Sequence, residues 1–173
     1  MAHAAIFVIF PFCMVFAIVS DLLSMTIANR VSLLLVAAFA VLAPLTGMDW
    51  ATYGWHFLAG AVVLAVCFGL FALGGMGGGD AKLLSGTAVW MGFGFPLLDY
   101  LVTAAFLGGV LTVFILFFRK SVFATMHGQN MFLRNLSGET TGVPYGIALG
   151  AAGLLVFPQT PIVIAALQQM TGN

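Results

Sequence analysis

The sequence predicts an all-α membrane protein built as a bundle of six transmembrane helices. Of its 173 residues, 62% are hydrophobic and only 6% are charged, whereas soluble domains carry about 25% charged residues. So few polar side chains could not cover the surface of a compact soluble chain, and the mean hydropathy is +1.17. The formal net charge is zero and there is no basic run, which argues against a nucleic-acid partner. We therefore expect one membrane domain over residues 1–173, surrounded by the lipid bilayer.

Apolar runs of membrane-spanning length define the predicted helices. A helix needs about 20 mostly apolar residues to cross roughly 30 Å of hydrocarbon. Lipid offers backbone groups no hydrogen-bond partner, and these runs are too long and too evenly apolar for the strands of a barrel. Separated by polar or glycine-rich segments, the runs cover residues 4–22, 31–48, 54–73, 81–97, 100–118 and 143–167. The fourth is short, so we expect it to extend into its flanking residues.

The basic residues set the predicted orientation. With six spans, all five fall on one side of the membrane, and they are Arg30, Lys82, Arg119, Lys120 and Arg134. Asp49, Asp99 and both termini fall on the other side. Loops rich in lysine and arginine stay in the cytoplasm. The expected topology therefore has both termini outside.

Two aspartates stand at the predicted cytoplasmic boundary, where an ionisable group beside hydrocarbon is costly. Asp21 ends the first span, and Asp80 opens the fourth directly after the segment Gly74–Gly79, in which five of six residues are glycine. A backbone with so few side chains lets another chain approach closely, so a peptide could lie there. Each feature also has a plain explanation, since a carboxylate can be an interfacial anchor and a glycine-rich segment a linker.

A pair of carboxyl groups at this boundary could act together as a catalytic acid and base. Two carboxyl groups that lie close together do not both ionise readily, so one keeps a proton while the other acts as a base. Such a pair can hydrolyse an amide, because the base takes a proton from water and the acid donates one to the carbonyl oxygen. Asp80 lies at a helix N-terminus near Lys82, which favours it as the base. The predicted catalytic residues are Asp21 and Asp80.

Three motifs follow one another at this boundary. The first is Asp21 followed by Ile27-Ala28-Asn29, the second is Gly77-Gly78-Gly79-Asp80-Ala81-Lys82, and the third begins at Val143-Pro144-Tyr145-Gly146. Together they resemble the type IV prepilin leader peptidases, which are GxGD intramembrane aspartyl proteases with a GxGDxK signature. Ala28 stands where that family commonly has proline.

The resemblance implies a membrane aspartyl endopeptidase of the bacterial inner membrane. Such an enzyme removes the short leader of prepilin or pseudopilin precursors at the cytoplasmic face, typically after a glycine, and needs no cofactor. The chain lacks the paired CxxC motifs of the methylating members, and its length is similar to that of the small peptidases of tight-adherence (Flp-type) pili. The residues expected to contact substrate are Gly77, Gly78, Gly79, Lys82, Pro144 and Tyr145.

Some of these residues keep more than one explanation. Lys82 either positions substrate, tunes Asp80 or extends to the membrane surface as an ordinary boundary cation. Tyr145 either turns its hydroxyl toward the aspartates or belongs to the interfacial aromatic belt.

Glycines recur every fourth residue at the start of the last span, at Gly142, Gly146 and Gly150. Small residues at this spacing give a helix a smooth stripe. We expect another helix of the same chain to pack closely against it.

The histidines and cysteines do not predict a metal centre. His3 and His56 fall outside while His127 falls inside, so three histidines cannot meet around one ion. Cys13 and Cys67 lie in apolar runs and are expected to be small buried hydrophobes.

The alternative function is a small six-helix ion-coupled transporter or channel that uses the same aspartates. Transporters often consist of two related halves. Asp21 ends the first span and Asp80 begins the fourth, so the two do not occupy equivalent positions in such halves.

Overall fold

The computed structural model describes residues 2–119 and 142–172, and every regular element in these ranges is a helix. The helices are α1 (Ala2–Ser24), α2 (Asn29–Leu45), α3 (Trp50–Ala72), α4 (Gly78–Met91), α5 (Phe95–Arg119), α6 (Tyr145–Val156) and α7 (Pro161–Thr171). A short 3₁₀ turn, Phe157–Gln159, lies between the last two. The predictions for Lys120, His127 and Arg134 concern residues outside the described ranges.

The helices follow the six predicted apolar runs, with three main differences at their ends. Helix α5 begins at Phe95, five residues before the predicted run. Helix α4 stops at Met91 instead of continuing to 97, because Gly92 takes a φ of +67° that ends the helix. The last predicted run is two helices, α6 and α7, bent by 44° where the chain breaks. Pro161 starts α7, a position where its missing N–H is tolerated.

Three described helices are long and apolar enough to cross a membrane unaided, namely α1, α3 and α5. The bent pair α6–α7 is a fourth if it is counted as one span. Helices α2 and α4 are shorter, with 17 and 14 residues. The chain is therefore a multi-pass membrane protein, and its described residues contain three or four spans by length and composition.

Helix α4 lies at the centre of the bundle. It packs against α2, α3 and α6, and to a smaller extent against α5. Every residue from 83 to 91 is buried. The second half of α4 is thus packed in the core, and its first turn lies at one end of the bundle.

Trp90 anchors this buried half. Its ring centroid lies 5.1 Å from that of Phe10, 5.7 Å from Phe39 and 6.2 Å from Phe157. Its Nε1–H donates a 2.9 Å hydrogen bond to the carbonyl of Leu35, so the buried indole is satisfied.

The predicted glycine stripe is confirmed for two of its three members, which bring α6 against α1. A Cβ added at Gly150 would lie 2.6 Å from Ile18 Cγ1 and 2.9 Å from the Met14 carbonyl oxygen. Gly146 is equally close to α1. Gly142 precedes α6, so the stripe begins one turn later than expected. The close contact positions the start of α6 beside the end of α1.

Candidate active site

A cavity of about 920 Å³ lies at the end of the bundle where α1 ends and where α4 and α6 begin. Its walls come from the turn between α1 and α2, from the glycine segment Gly74–Gly79 and from the residues that lead into α6. Both Asp21 and Asp80 line it. The structure therefore brings into one cavity the two aspartates that are far apart in the sequence.

Asp21 lies in the last turn of α1 and is only 4% exposed. The backbone N–H of Gly146 donates a 2.7 Å hydrogen bond to its Oδ2. This N–H belongs to the first turn of α6, where amides have no helical acceptor. A Cβ on Gly146 would lie 2.9 Å from that oxygen and 2.7 Å from Ile27 Cδ1. Glycine at this position therefore permits α6 to approach the carboxyl group.

Asp80 lies in the first turn of α4 and is half-buried. Its carboxyl group folds back over Gly77, the N-cap of α4, so a Cβ there would lie 2.9 Å from Asp80 Oδ2. A Cβ on Gly78 or Gly79 would lie 3.3 Å from Phe71 or Ile27. A side chain at Gly77 would displace the carboxyl group, and one at either neighbour would crowd an apolar side chain.

Ile27 lies between the two helix starts that approach the aspartates. Ile27, buried in the turn after α1, contacts Gly79 on one side and Gly146 on the other. This side chain sets the spacing between the helix starts that carry Asp80 and the hydrogen bond to Asp21.

Four of the six predicted substrate contacts line the cavity, namely Gly77, Gly78, Gly79 and Tyr145. The Tyr145 ring packs against Gly108 of α5. Pro144 is buried just before α6, and Lys82 is exposed on α4. These two residues lie outside the cavity lining.

Lys82 contacts a different motif. Its Nζ donates a 2.9 Å hydrogen bond to Asn29 Oδ1, 53 residues away in the chain. Asn29 is the first residue of α2 and lines the cavity. The lysine of the GxGDxK motif is therefore hydrogen-bonded to the side-chain amide of the asparagine in the first motif.

Met25 is a cavity residue that the sequence does not reveal. Its φ is +53°, and within the described ranges it is the one non-glycine residue with a positive φ. Its N–H donates to the Asp21 carbonyl at 2.8 Å, which makes it the residue that terminates α1. Glycine is usual there, and another residue costs about 1–2 kcal/mol. The conformation depends on the backbone and carries no sequence signal.

Hydroxyl groups hold this turn in place. Ser20 Oγ donates to the Thr26 carbonyl at 2.7 Å, and Ser24 Oγ donates to the Ser20 carbonyl at 2.7 Å. The hydroxyls of Ser24 and Thr26 lie 2.8 Å apart. A strained backbone persists where its surroundings fix it in this way.

The fold and the site define a class, a multi-pass helical membrane protein with two carboxyl groups in one cavity at an end of the bundle. A family model described as the type IV leader peptidase family matches residues 8–129, which include both aspartates. The match covers more than half of the chain, so the protein belongs to the type IV leader peptidase family, and membership implies a peptidase that acts on prepilins. No curated protein and no solved structure matches the chain.

Proposed function

We propose that the protein is an aspartic endopeptidase of the small tight-adherence (Flp-type) group. It removes the leader from prepilin or pseudopilin precursors at the cytoplasmic face of the bacterial inner membrane, without a cofactor. Asp21 and Asp80 are its catalytic residues. The observation that carries the proposal is their shared cavity, where the glycine segment leaves space for a peptide backbone.

The chemistry is the hydrolysis of one amide bond. A carboxylate takes a proton from water as the water oxygen bonds to the scissile carbonyl carbon, and the other carboxyl group gives its proton to the carbonyl oxygen. The C–N bond of the tetrahedral intermediate then breaks. The first carboxyl group returns its proton to the leaving nitrogen, and the second recovers its proton as the carbonyl re-forms. The products are a carboxylic acid and an amine.

We assign the base to Asp21 and the proton donor to Asp80, the reverse of the roles expected from the sequence. Asp21 accepts a hydrogen bond from a backbone N–H at the start of α6. Such a donor binds an ionised carboxylate more strongly than a protonated carboxyl group. Lys82, expected to favour charge on Asp80, donates to Asn29.

The proposed topology has six spans with both termini outside, so α2 and α4 also cross. The described charges support it. Arg30 follows the first residue of α2, and Lys82 lies near the start of α4, so both belong to the cavity end. Asp49 caps α3 at the other end of α2. Positive charge collects on the cytoplasmic side, which makes the cavity cytoplasmic.

The test is cleavage of a purified prepilin by the detergent-solubilised protein. Asp21→Asn and Asp80→Asn should each lower turnover by about a thousandfold, because each removes one member of the acid–base pair. Asp49→Asn, at the opposite end of the bundle, is the matched control and should cleave normally.

Normal turnover by either cavity variant would show the two-carboxyl mechanism to be wrong. Ion flux into liposomes without any cleavage would instead favour the ion-coupled transporter that uses the same aspartates.

A further inference from the structure

We propose that Met25 determines substrate specificity, by forming an apolar wall of the cavity against the substrate side chain that directly follows the scissile bond. The inference rests on the proposed function, since it places a peptide between Asp21 and Asp80. The substrate feature it selects is an apolar side chain in an extended peptide.

The first support is the backbone conformation of Met25. At a φ of +53° the residue ends α1 where glycine would fit without strain. A turn that only had to stop the helix would be better served by glycine. The presence of a long side chain at this strained position indicates that the side chain itself has a use.

The second support is the way the turn is fixed. Hydrogen bonds from Ser20 and Ser24 tie the chain on both sides of Met25 to the last turn of α1. They hold the strained residue in one orientation, so its side chain has a set direction. A binding wall needs such a direction, whereas a plain helix end does not.

The third support is where the side chain lies. Met25 lines the cavity together with Asp21, and a Cβ on Gly142 would lie 3.2 Å from Met25 Cε. The side chain therefore extends from the turn after α1 to the segment that leads into α6. Ile27 and Val143 line the same cavity, so Met25 shares it with other apolar side chains as well as with the two aspartates. An unbranched thioether side chain adapts well to an apolar partner.

Three variants separate a substrate contact from a structural role. Met25→Ala removes the side chain and keeps the strain, Met25→Gly removes both, and Met25→Leu keeps an apolar side chain of similar length. Cleavage of a prepilin is measured as kcat and KM, and thermal unfolding is followed in detergent.

We expect KM to rise about tenfold in both Met25→Ala and Met25→Gly, with kcat nearly unchanged, because both lose the apolar contact. Met25→Leu should keep a KM close to that of the wild type. Thermal stability should separate the first two, with Met25→Gly unfolding at the higher temperature because its backbone is relaxed.

A second substrate sharpens the test. With serine in place of the apolar residue that directly follows the scissile bond, wild-type KM should rise clearly, and this difference should shrink in Met25→Gly. A Met25→Gly protein that cleaves both substrates with wild-type KM values would overturn the inference alone. Failure of the wild-type protein to cleave any prepilin would overturn the proposed function and the inference with it.

Discussion

The two halves of α4 show how differently the two regions of the molecule are built. The second half of the helix is buried, with Trp90 among aromatic rings and the Trp90 indole N–H hydrogen-bonded. Its first turn follows a segment that is mostly glycine and carries the half-buried Asp80 into an open cavity. One short helix therefore joins a fully buried part of the protein to an open cavity.

The difference indicates a division of roles along α4, with stability depending on its packed half and turnover on its first turn. Aromatic packing fixes the axial position and rotation of α4, and the first turn inherits that position without needing a packed environment of its own. Substitutions in the packed half should thus affect stability, whereas substitutions around the cavity should affect turnover. Each prediction below tests this division.

The largest expected effect lies in the packed half. Trp90→Ala should lower the free energy of unfolding by about 3–5 kcal/mol, because it removes a fully buried ring and leaves a cavity. Thermal or denaturant unfolding in detergent measures the change. Trp55→Ala is the matched control, since Trp55 is 57% exposed, and it should change stability much less. Equal losses in both variants would contradict the division.

The second effect belongs to the cavity end. Gly146→Ala should lower kcat by about tenfold to a hundredfold, because the new methyl group meets Asp21 Oδ2 and Ile27 and shifts a carboxyl group that needs accurate placement. The thermal unfolding temperature should fall only slightly. Gly109→Ala in α5 is the control, because a Cβ there meets no atom within 4 Å. Normal turnover by Gly146→Ala would show that this close approach is not needed.

The helices were largely predictable because lipid demands long apolar runs, and the described helices follow those runs. The positions at which the helices end were less predictable. Nothing in the pattern of apolar residues predicts that Gly92 takes a positive φ, which ends α4 early. The break at Thr160, between Gln159 and Pro161, interrupts an apolar run without any charged residue, and Pro161 is its local sequence signal. Both features depend on backbone conformation, which hydropathy does not report.

The third prediction concerns the contact between Lys82 and Asn29. Asn29→Ala and Lys82→Met should each lower kcat/KM by roughly threefold, and the double variant should be no worse than either, because one hydrogen bond is lost in all three. Such a bond positions α4 against α2 at the cavity. If Lys82 acted on Asp80 by its charge, Lys82→Met would move the acidic limb of the pH profile and Asn29→Ala would not.

The site was predictable to the extent that its residues are chemically unusual. Asp21 and Asp80 are conspicuous because ionisable groups are rare in such a chain, and the glycine segment is conspicuous by composition. Asn29, Ile27 and Met25 were not assigned a role in the site, since ordinary residue types give no signal until the fold shows their neighbours. Lys82 was conspicuous by its charge, yet its partner lies 53 residues away.

The smallest effect is expected far from the cavity, at the N-terminus of α3. Hydrogen bonds from the Thr52 side chain and backbone lower the pKa of Asp49 below its usual value. Because the folded pKa is lower, the stability from this cap is complete above the unfolded pKa of about 3.9 and is lost as the pH falls through the folded value. Asp49→Asn keeps an acceptor, so its thermal stability should depend slightly less on acid than that of the wild type. Identical acid dependence would show that this carboxyl group contributes nothing.

The length of α4 has a consequence for the surrounding lipid. In the proposed six-span topology α4 crosses the bilayer, but its fourteen residues extend only about 21 Å. Roughly 9 Å of the acyl-chain layer is then left to the irregular segments at its ends, of which the glycine segment is one. Amides outside a helix persist at that depth only where hydration reaches them. The peptide groups of the glycine segment should therefore be hydrated below the level of the headgroups. The same hydration would supply the water molecule that hydrolyses the amide bond.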